Sequence, residues 1–307
     1  MLFPEQTADL LARCNFPPAG SALDCAVSGG VDSLTLMALA VAHGCEVTAF
    51  HVDHRLREES GLEPAIVAEA AAQIGAKFVA LRVDCPKGPN LEARARALRY
   101  GVLPPNVATG HTADDQVETM LLNLLRGAGR DGLSAMTHDY RHPILALRRA
   151  DTEAFAAALG VEIVHDRSNE DLAFLRNRVR HELLPLLNEI AARDLVPVLY
   201  RQGELMHDES VLLDELASAL DPTDVHQLQA APIPLVRRAL RWWIREHTPS
   251  GYSPDSGATE RVIRVIRGEV VACETAGGLR IRRSKGRLIL ESPINQDQPQ
   301  KRVTDDD

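Results

Sequence analysis

Two stretches of this sequence hold residue types whose spacing can do chemistry. The first is SGGVDS at 28–33, preceded by an apolar run containing Leu23, Cys25 and Val27 and followed by an apolar helix-forming segment from Leu34 to Ala42. A strand feeding a glycine turn that opens a helix gathers backbone N–H groups at the positive end of the helix dipole, which seats phosphate. Gly29 and Gly30 can take positive φ and let an anion approach the backbone, while Ser28 and Ser33 add hydroxyl donors. The Walker pattern GxxxxGK[ST] is absent. Asp32 would be repelled by bare phosphate, so it is assigned to a magnesium ion or its water shell. The second stretch is HTADDQVE, in which His111, Asp114, Asp115 and Glu118 recur at i, i+3, i+4 and i+7. On a helix these four share one arc, beside a core-facing stripe of Val117, Met120, Leu121 and Leu124. Clustered acids repel unless a cation intervenes. The plainer alternative is a capping box, Thr112 with Asp115, on a solvated acidic face.

The elements that must position these groups follow from periodicity. Strands are expected at 46–51, 77–83 and 107–110, and helices at 60–74, 90–100 and 112–126. This alternation implies βαβ units in a doubly wound parallel sheet, a Rossmann-like α/β fold. Ligands bind beyond the carboxyl ends of such strands. SGGVDS, HVDH (51–54) and HTADD all fall there, which makes them one composite site. Further on, a helix is expected at 149–159, a short strand at 161–164 and an arginine-rich helix at 174–190. Past Arg193 the alternation stops, and helices at 233–246 and 259–267 precede a hairpin turning near Lys285–Gly286. The expected organisation is therefore a catalytic domain at 1–192, a helical and hairpin domain at 193–291 and a disordered polar tail at 292–307.

Composition narrows the class. The chain has 307 residues, a net charge of −9 and 45% hydrophobic residues, which suits a folded protein of about two domains. No run of ~18 apolar residues indicates a membrane span, and the acidic start lacks the basic region of a signal peptide. Cysteines 14, 25, 45, 85 and 273 show no CxxC pair. The reading is cytoplasmic. Despite the acidic total, residues 261–287 hold eight basic side chains against Glu269 and Glu274, which fits a polyanionic partner. Arg94, Arg96 and Arg99 beside Tyr100 suit RNA backbone binding, and Arg176, Arg178 and Arg180 place positive charge at a helix start, where the dipole disfavours it. Pairing of those three with Asp166, Glu170 or Asp171 is the ordinary alternative. Arg237, Arg241 and Arg245 form a stripe beside Trp242 and Trp243, the tryptophans being read as core.

SGGxDS resembles the pyrophosphate-binding loop of the ATP pyrophosphatases, the adenine nucleotide alpha hydrolase-like superfamily. Together with HVDHRLREES (51–60), NLEARARALRY (90–100), HTADDQVETMLLNLLRGAGRDGL (111–133) and RSNEDLAFLRNRVRHELLP (167–185), it resembles the tRNA(Ile)-lysidine synthetase family over nearly the whole chain. Arg55 stands where that family usually has glycine, and the sequence ends without the additional C-terminal domain of longer members. The resemblance implies a C–N ligase. ATP adenylates C2 of the wobble cytidine of a CAU-anticodon isoleucine tRNA, and the ε-amine of free L-lysine then displaces AMP. It implies ATP contacts from Ser28, Gly29, Gly30, Val31, Asp32, Ser33, Asp53, His54, Arg57 and His111. Asp32, Asp114, Asp115 and Glu118 become the catalytic acids, the first three also magnesium ligands. Arg94, Arg96, Arg99, Arg126, Arg176, Arg178 and Arg180 are assigned to phosphate or tRNA. Dimers are common among relatives, so a homodimer is an assembly the resemblance allows. A 2-thiocytidine synthetase would need cysteines that this sequence does not pair. A non-catalytic nucleotide- or RNA-binding protein is the reading from another class, and the intact acids argue against it.

Overall fold

The computed structural model describes residues 6–53, 63–83, 91–164, 171–248, 254–275 and 278–291. The chain divides into two units, 1–207 and 208–307. The division read from the sequence at 192/193 falls earlier, where the strand–helix alternation ends rather than where the first unit does. The proposed polar tail lies outside the described residues.

In the first unit, helix α1 (Thr7–Leu11) precedes strand β1 (Ala22–Ala26), helix α2 (Val31–His43), strand β2 (Glu46–Asp53) and helix α3 (Glu63–Ile74). Strand β3 (Lys77–Arg82), helix α4 (Leu91–Val102), strand β4 (Ala108–Thr109) and helix α5 (Ala113–Leu125) follow. The four strands form the expected parallel sheet in the order β3-β2-β1-β4. Ala26, the last residue of β1, pairs with Phe50 of β2 on one side and Thr109 of β4 on the other. The order reverses at β1, so the loops after β1 and β4 leave neighbouring strand ends at the switch point. Leu23, Cys25, Val47, Ala49 and Ala108 bury the sheet against Leu34, Leu36, Met37 and Leu39 of α2 and Val67, Ala70 and Ala71 of α3.

Helices α6 (Arg130–Leu133) and α7 (Arg149–Leu159) follow α5. The strand expected at 161–164 is not one, although the Val164 N–H still donates to the Gly29 carbonyl at 2.9 Å. The single helix expected at 174–190 is three pieces: α8 (Leu175–Arg178), a π-helical turn (Val179–Leu183) and α9 (Leu184–Ala191). Val179 and Leu184 bury against Ala113, Val117, Leu121 and Leu122. The stripe read from the sequence is right at Val117, Met120 and Leu121, but Leu124 is exposed and Leu122 is buried in its place.

Helix α10 (Val196–Ser218) spans the division. The second unit continues with α11 (Val225–Ala230), α12 (Ile233–His247), α13 (Ser256–Arg267) and the antiparallel strands β5 (Ala272–Glu274), β6 (Arg280–Ser284) and β7 (Arg287–Glu291). Its core joins Val236, Leu240 and Ile244 to Val262, Ile263, Ile266, Ile281 and Leu288. Trp243 belongs to that core, whereas Trp242 is half-buried. Lys285 and Gly286 both take positive φ at the expected hairpin turn.

Candidate active site

The loop at 28–33 is built by close approach. Gly29 has φ of +88°, and a Cβ there would stand 2.6 Å from Val164 Cγ2 and 3.0 Å from Val67 Cγ2. Gly30 does not need that freedom: it caps α2 with φ −76° and ψ 162°, ordinary extended backbone. The Ser33 hydroxyl donates to the Gly30 carbonyl at 2.9 Å and lies 3.3 Å from Ser28 Oγ. Val31 and Asp32 fall in the first turn of α2. The glycine that matters as much as Gly29 is Gly110, which the sequence marks only as a strand end. Its Cβ would come within 2.8 Å of the Asp32 carbonyl group and 2.9 Å of the Ser33 nitrogen. These neighbours are backbone and cannot rotate away. Gly110→Ala is therefore expected to push α2 from β4, at about 1–3 kcal/mol of stability. The phosphate seat would deform with it, so nucleotide binding by calorimetry should weaken even where denaturant titration shows the variant folded.

The acids divide. Asp115 and Glu118, on α5, face the arginines at 176 and 180, and Asp32 approaches Asp115 from α2 through Arg149, but Asp114 turns aside. Its carboxylate takes Arg148 Nε and Nη2, each at 3.1 Å, and the Arg149 backbone N–H at 2.8 Å. Arg148 also donates to Asp194 at 2.5 Å. Asp114 thus ties the start of α5 to the start of α7. The expectation of Asp114 as a partner of Asp32 and Asp115 in one metal set is not met by its placement.

Asp115 performs two tasks. Its Oδ2 accepts from the Thr112 N–H at 2.9 Å and the Thr112 hydroxyl at 3.0 Å, so it closes the helix N-terminus. Its Oδ1 meets three guanidinium groups: Arg176 at 3.1 Å, Arg180 at 3.3 Å and Arg149 at 3.4 Å. Glu118, only 1% exposed, accepts from Arg176 Nε at 2.8 Å and from Arg180 Nε and Nη2 at 2.5 and 3.0 Å. The arginines at 176 and 180 therefore pair with Asp115 and Glu118, while 166 and 170, which the sequence offered as partners, lie outside the described residues. Arg178 makes an exposed pair with Glu182 at 2.8 Å. The apolar contacts of Val179 and Leu184 with α5 are what lay this arginine-bearing segment across the acids.

Asp32 Oδ1 accepts from the Thr152 hydroxyl at 2.5 Å, and Oδ2 lies 3.3 Å from Arg149 Nη2. Arg148 and Arg149 were missed in the sequence. Their signal was available: two arginines open α7, where the dipole disfavours them, as at 176–180. Burial raises the Asp32 carboxyl above its ordinary value of 3.8, against the pull of Arg149 and the Thr152 hydroxyl. For Asp115 burial also pushes upward, but Arg149, Arg176 and His111 outweigh it and the carboxyl falls below 3.8. The signs follow from linkage. Folded Asp32 holds its proton more tightly than unfolded, so stability drops as pH rises from 3.8 through the raised value. Asp115 contributes stability that is present above 3.8 and lost as pH falls through its lowered value. Asp32→Asn is accordingly expected to stabilise the nucleotide-free protein at neutral pH and Asp115→Asn to destabilise it. Urea midpoints shifting in the same direction would contradict the assignment.

Of the remaining site residues, His111 Nδ1 lies 2.7 Å from the Thr109 hydroxyl, and its ring is 5.4 Å from that of His142. Asp53 is buried at the end of β2, while His54 and Arg57 lie outside the described residues. His51 is buried with Nδ1 2.9 Å from the Val27 carbonyl, which makes it a structural link between β2 and the loop. Arg94 is half-buried on α4, and the side chains of Arg96 and Arg99 are outside the description. Arg126 is exposed at the C-cap of α5. In the second unit, Arg237 pairs with Glu260 at 2.6 Å and Arg264 with Glu269 at 3.2 Å, both exposed. Among the described residues no group of three or more His, Cys, Asp or Glu is gathered for a metal, and no helix is long and apolar enough to cross a membrane. The two carboxylates Asp32 and Asp115, already sharing a cation at the phosphate seat, do suit a magnesium ion that takes its other ligands from phosphate and water.

Comparison with known proteins identifies the family. Residues 5–187 match the model of the PP-loop domain, and residues 224–289 match that of the TilS substrate binding domain. A tRNA(Ile)-lysidine synthase of Nocardia farcinica is 36% identical over 306 residues, covering 90% of this chain and 93% of its own. One from Rhodococcus erythropolis is also 36% identical, over 86% of this chain and 88% of the relative. A solved U34-tRNA thiolase from Methanococcus maripaludis superposes with a TM-score of 0.53 at 13% identity, over 66% of this chain and 79% of that one. That last likeness speaks for the α/β fold of the first unit alone. Two family models in succession and identity sustained along both chains lead to one conclusion: this chain belongs to the tRNA(Ile)-lysidine synthases.

Proposed function

We propose that the chain joins L-lysine to C2 of the wobble cytidine of a CAU-anticodon tRNA(Ile), through an adenylated cytidine, with release of AMP and pyrophosphate. The observation that carries this reading is the meeting of Asp32, on the phosphate-binding loop, with Asp115 and Glu118, in a cluster that pairs its carboxylates with cationic side-chain ends. Carboxylates that hold guanidinium groups in this way can hold the ammonium group of lysine when an arginine gives way, and their position beside the loop puts the nucleophile where the activated base must form.

In the first step the C2 oxygen attacks the α-phosphorus of ATP, and the bond to the bridging oxygen of pyrophosphate breaks. The backbone N–H groups of 29–33 and the hydroxyls of Ser28 and Ser33 hold the phosphates while charge moves to the leaving group. A magnesium ion held by Asp32 and Asp115 would neutralise the phosphate oxygens. In the second step the lysine ε-amine attacks C2, and AMP departs with the oxygen. Asp115, held in the ionised form by the guanidinium groups around it, and Glu118 orient the amine by charge, and its proton passes to water. No protein nucleophile is needed. Arg126 and the arginines of α4 and of the second unit supply charge for the tRNA, Arg176 and Arg180 reaching it only as they leave the acids.

Sulfur transfer to cytidine finds no support in the thiols. Burial raises all four described cysteines, Cys14 to about 12, far from the thiolate that such chemistry uses. The test is incubation of the protein with ATP, magnesium, lysine and each CAU-anticodon transcript. A lysine-sized mass gain on the isoleucine tRNA alone supports the proposal. Absence of the adduct, or sulfur incorporation, refutes it. Sedimentation at working concentration decides the homodimer.

A further inference from the structure

Arg149 is the cation of the site that the reaction just described leaves without a task. One nitrogen, Nη2, lies 3.3 Å from Asp32 Oδ2 and 3.4 Å from Asp115 Oδ1. These are long for charge-assisted bonds, which run at ~2.7–2.9 Å. Both acids are served elsewhere: Asp32 by the Thr152 hydroxyl, Asp115 by Arg176, Arg180 and the Thr112 cap. Arg149 Nε is buried with no hydrogen-bond partner. An unmet donor on a charged group is costly where it lies away from water. The backbone of the same residue is firmly held, because its N–H donates to Asp114 at 2.8 Å and Asp114 is gripped by Arg148. The residue thus has a fixed root, a loosely shared head and a donor in reserve, at the N-terminal end of α2 where an anion is favoured.

We infer that Arg149 is a catalytic residue that changes partners: in the free enzyme its guanidinium bridges Asp32 and Asp115, and when ATP binds it moves to the phosphates. The inference rests on the reading of 28–33 as the ATP seat. The exchange substitutes one pair of anions for another, so Arg149 never loses its counter-charge. It also releases the Asp32–Asp115 pair for the divalent cation that arrives with the nucleotide. In the free enzyme Arg149 therefore competes with that cation.

The test uses the full chain and two variants, Arg149→Ala and Arg149→Gln, checked for folding by circular dichroism. Calorimetry with ATP and magnesium is expected to show a dissociation constant about 10- to 100-fold higher in both, as for loss of a charge-assisted pair. Without nucleotide, Mn2+ titrated under electron paramagnetic resonance should bind the variants at least about tenfold more tightly than the wild type. ATP affinity unchanged in a folded variant, or Mn2+ binding no tighter than in the wild type, overturns the exchange. If Arg149→Ala does not fold, Arg149→Gln carries both measurements. Failure of the wild type itself to bind ATP would remove the parent reading, a result distinguishable from either.

Discussion

Asp115→Asn is expected to lower kcat at least about 100-fold and to raise the KM for lysine, whereas Asp114→Asn should keep kcat within about tenfold of the wild type. The two neighbours differ by one residue in sequence and by everything in surroundings. Asp115 Oδ1 faces Arg149, Arg176 and Arg180 beside the phosphate loop. Asparagine there keeps the cap on Thr112 through its amide oxygen, but removes the charge that orients the amine. Asp114 instead bonds Arg148 and the Arg149 backbone, so its loss appears mainly as stability, about 1–3 kcal/mol for the uncompensated Arg148 donors. Steady-state kinetics with lysine varied, beside urea titrations of the same proteins, separates the two. Equal losses of kcat in both variants would show that the division of the acids is wrong.

Glu118→Ala is expected to destabilise the first unit by about 3 kcal/mol, the lower end for breaking a buried ion pair, and to abolish lysine turnover. The lower end applies because the carboxylate is 1% exposed while the side chains of Arg176 and Arg180 remain 32% and 20% exposed. The acid is lost from the interior, but the two arginines can recover part of their hydration. Glu118→Gln retains the shape and should lose less stability, yet it leaves two guanidinium groups competing for a neutral amide. Double-mutant cycles with Arg176→Gln and Arg180→Gln provide the check. Coupling below about 0.5 kcal/mol in both would mean that the geometry contributes nothing.

Much of this site was legible because its chemistry lies in short local patterns. SGGVDS announces a strand, a turn and a helix N-terminus in six residues, and the i, i+3, i+4, i+7 acids need only a helix to share a face. Alternating strands and helices then place both motifs at strand ends. The 179–183 π turn, the loss of a strand at 161–164 and the switch from Leu124 to Leu122 were not legible. Each depends on what packs against the segment, and local propensity carries no record of a distant neighbour. Gly30 was read as able to take positive φ, and Gly29 alone does, while Gly30 caps α2 in extended backbone. Gly110, read as a strand end, proved to be where one backbone passes against another.

What this sequence determines alone is the set of reactive groups and the edge of the sheet that bears them. Phosphate-binding loop, acids and arginine-rich helix start are all written in residue types. Only the tertiary structure decided which charge meets which. The strand order sets the loops after β1 and β4 side by side, so Asp32 and Asp115 share Arg149. Burial of Val179 and Leu184 on α5 lays Arg176 and Arg180 over Glu118. The physical reason is range: helix and turn signals act over a few residues, whereas the ion pairs of Asp115 and Glu118 alone join groups 34 to 65 positions apart, through apolar packing that brings them together.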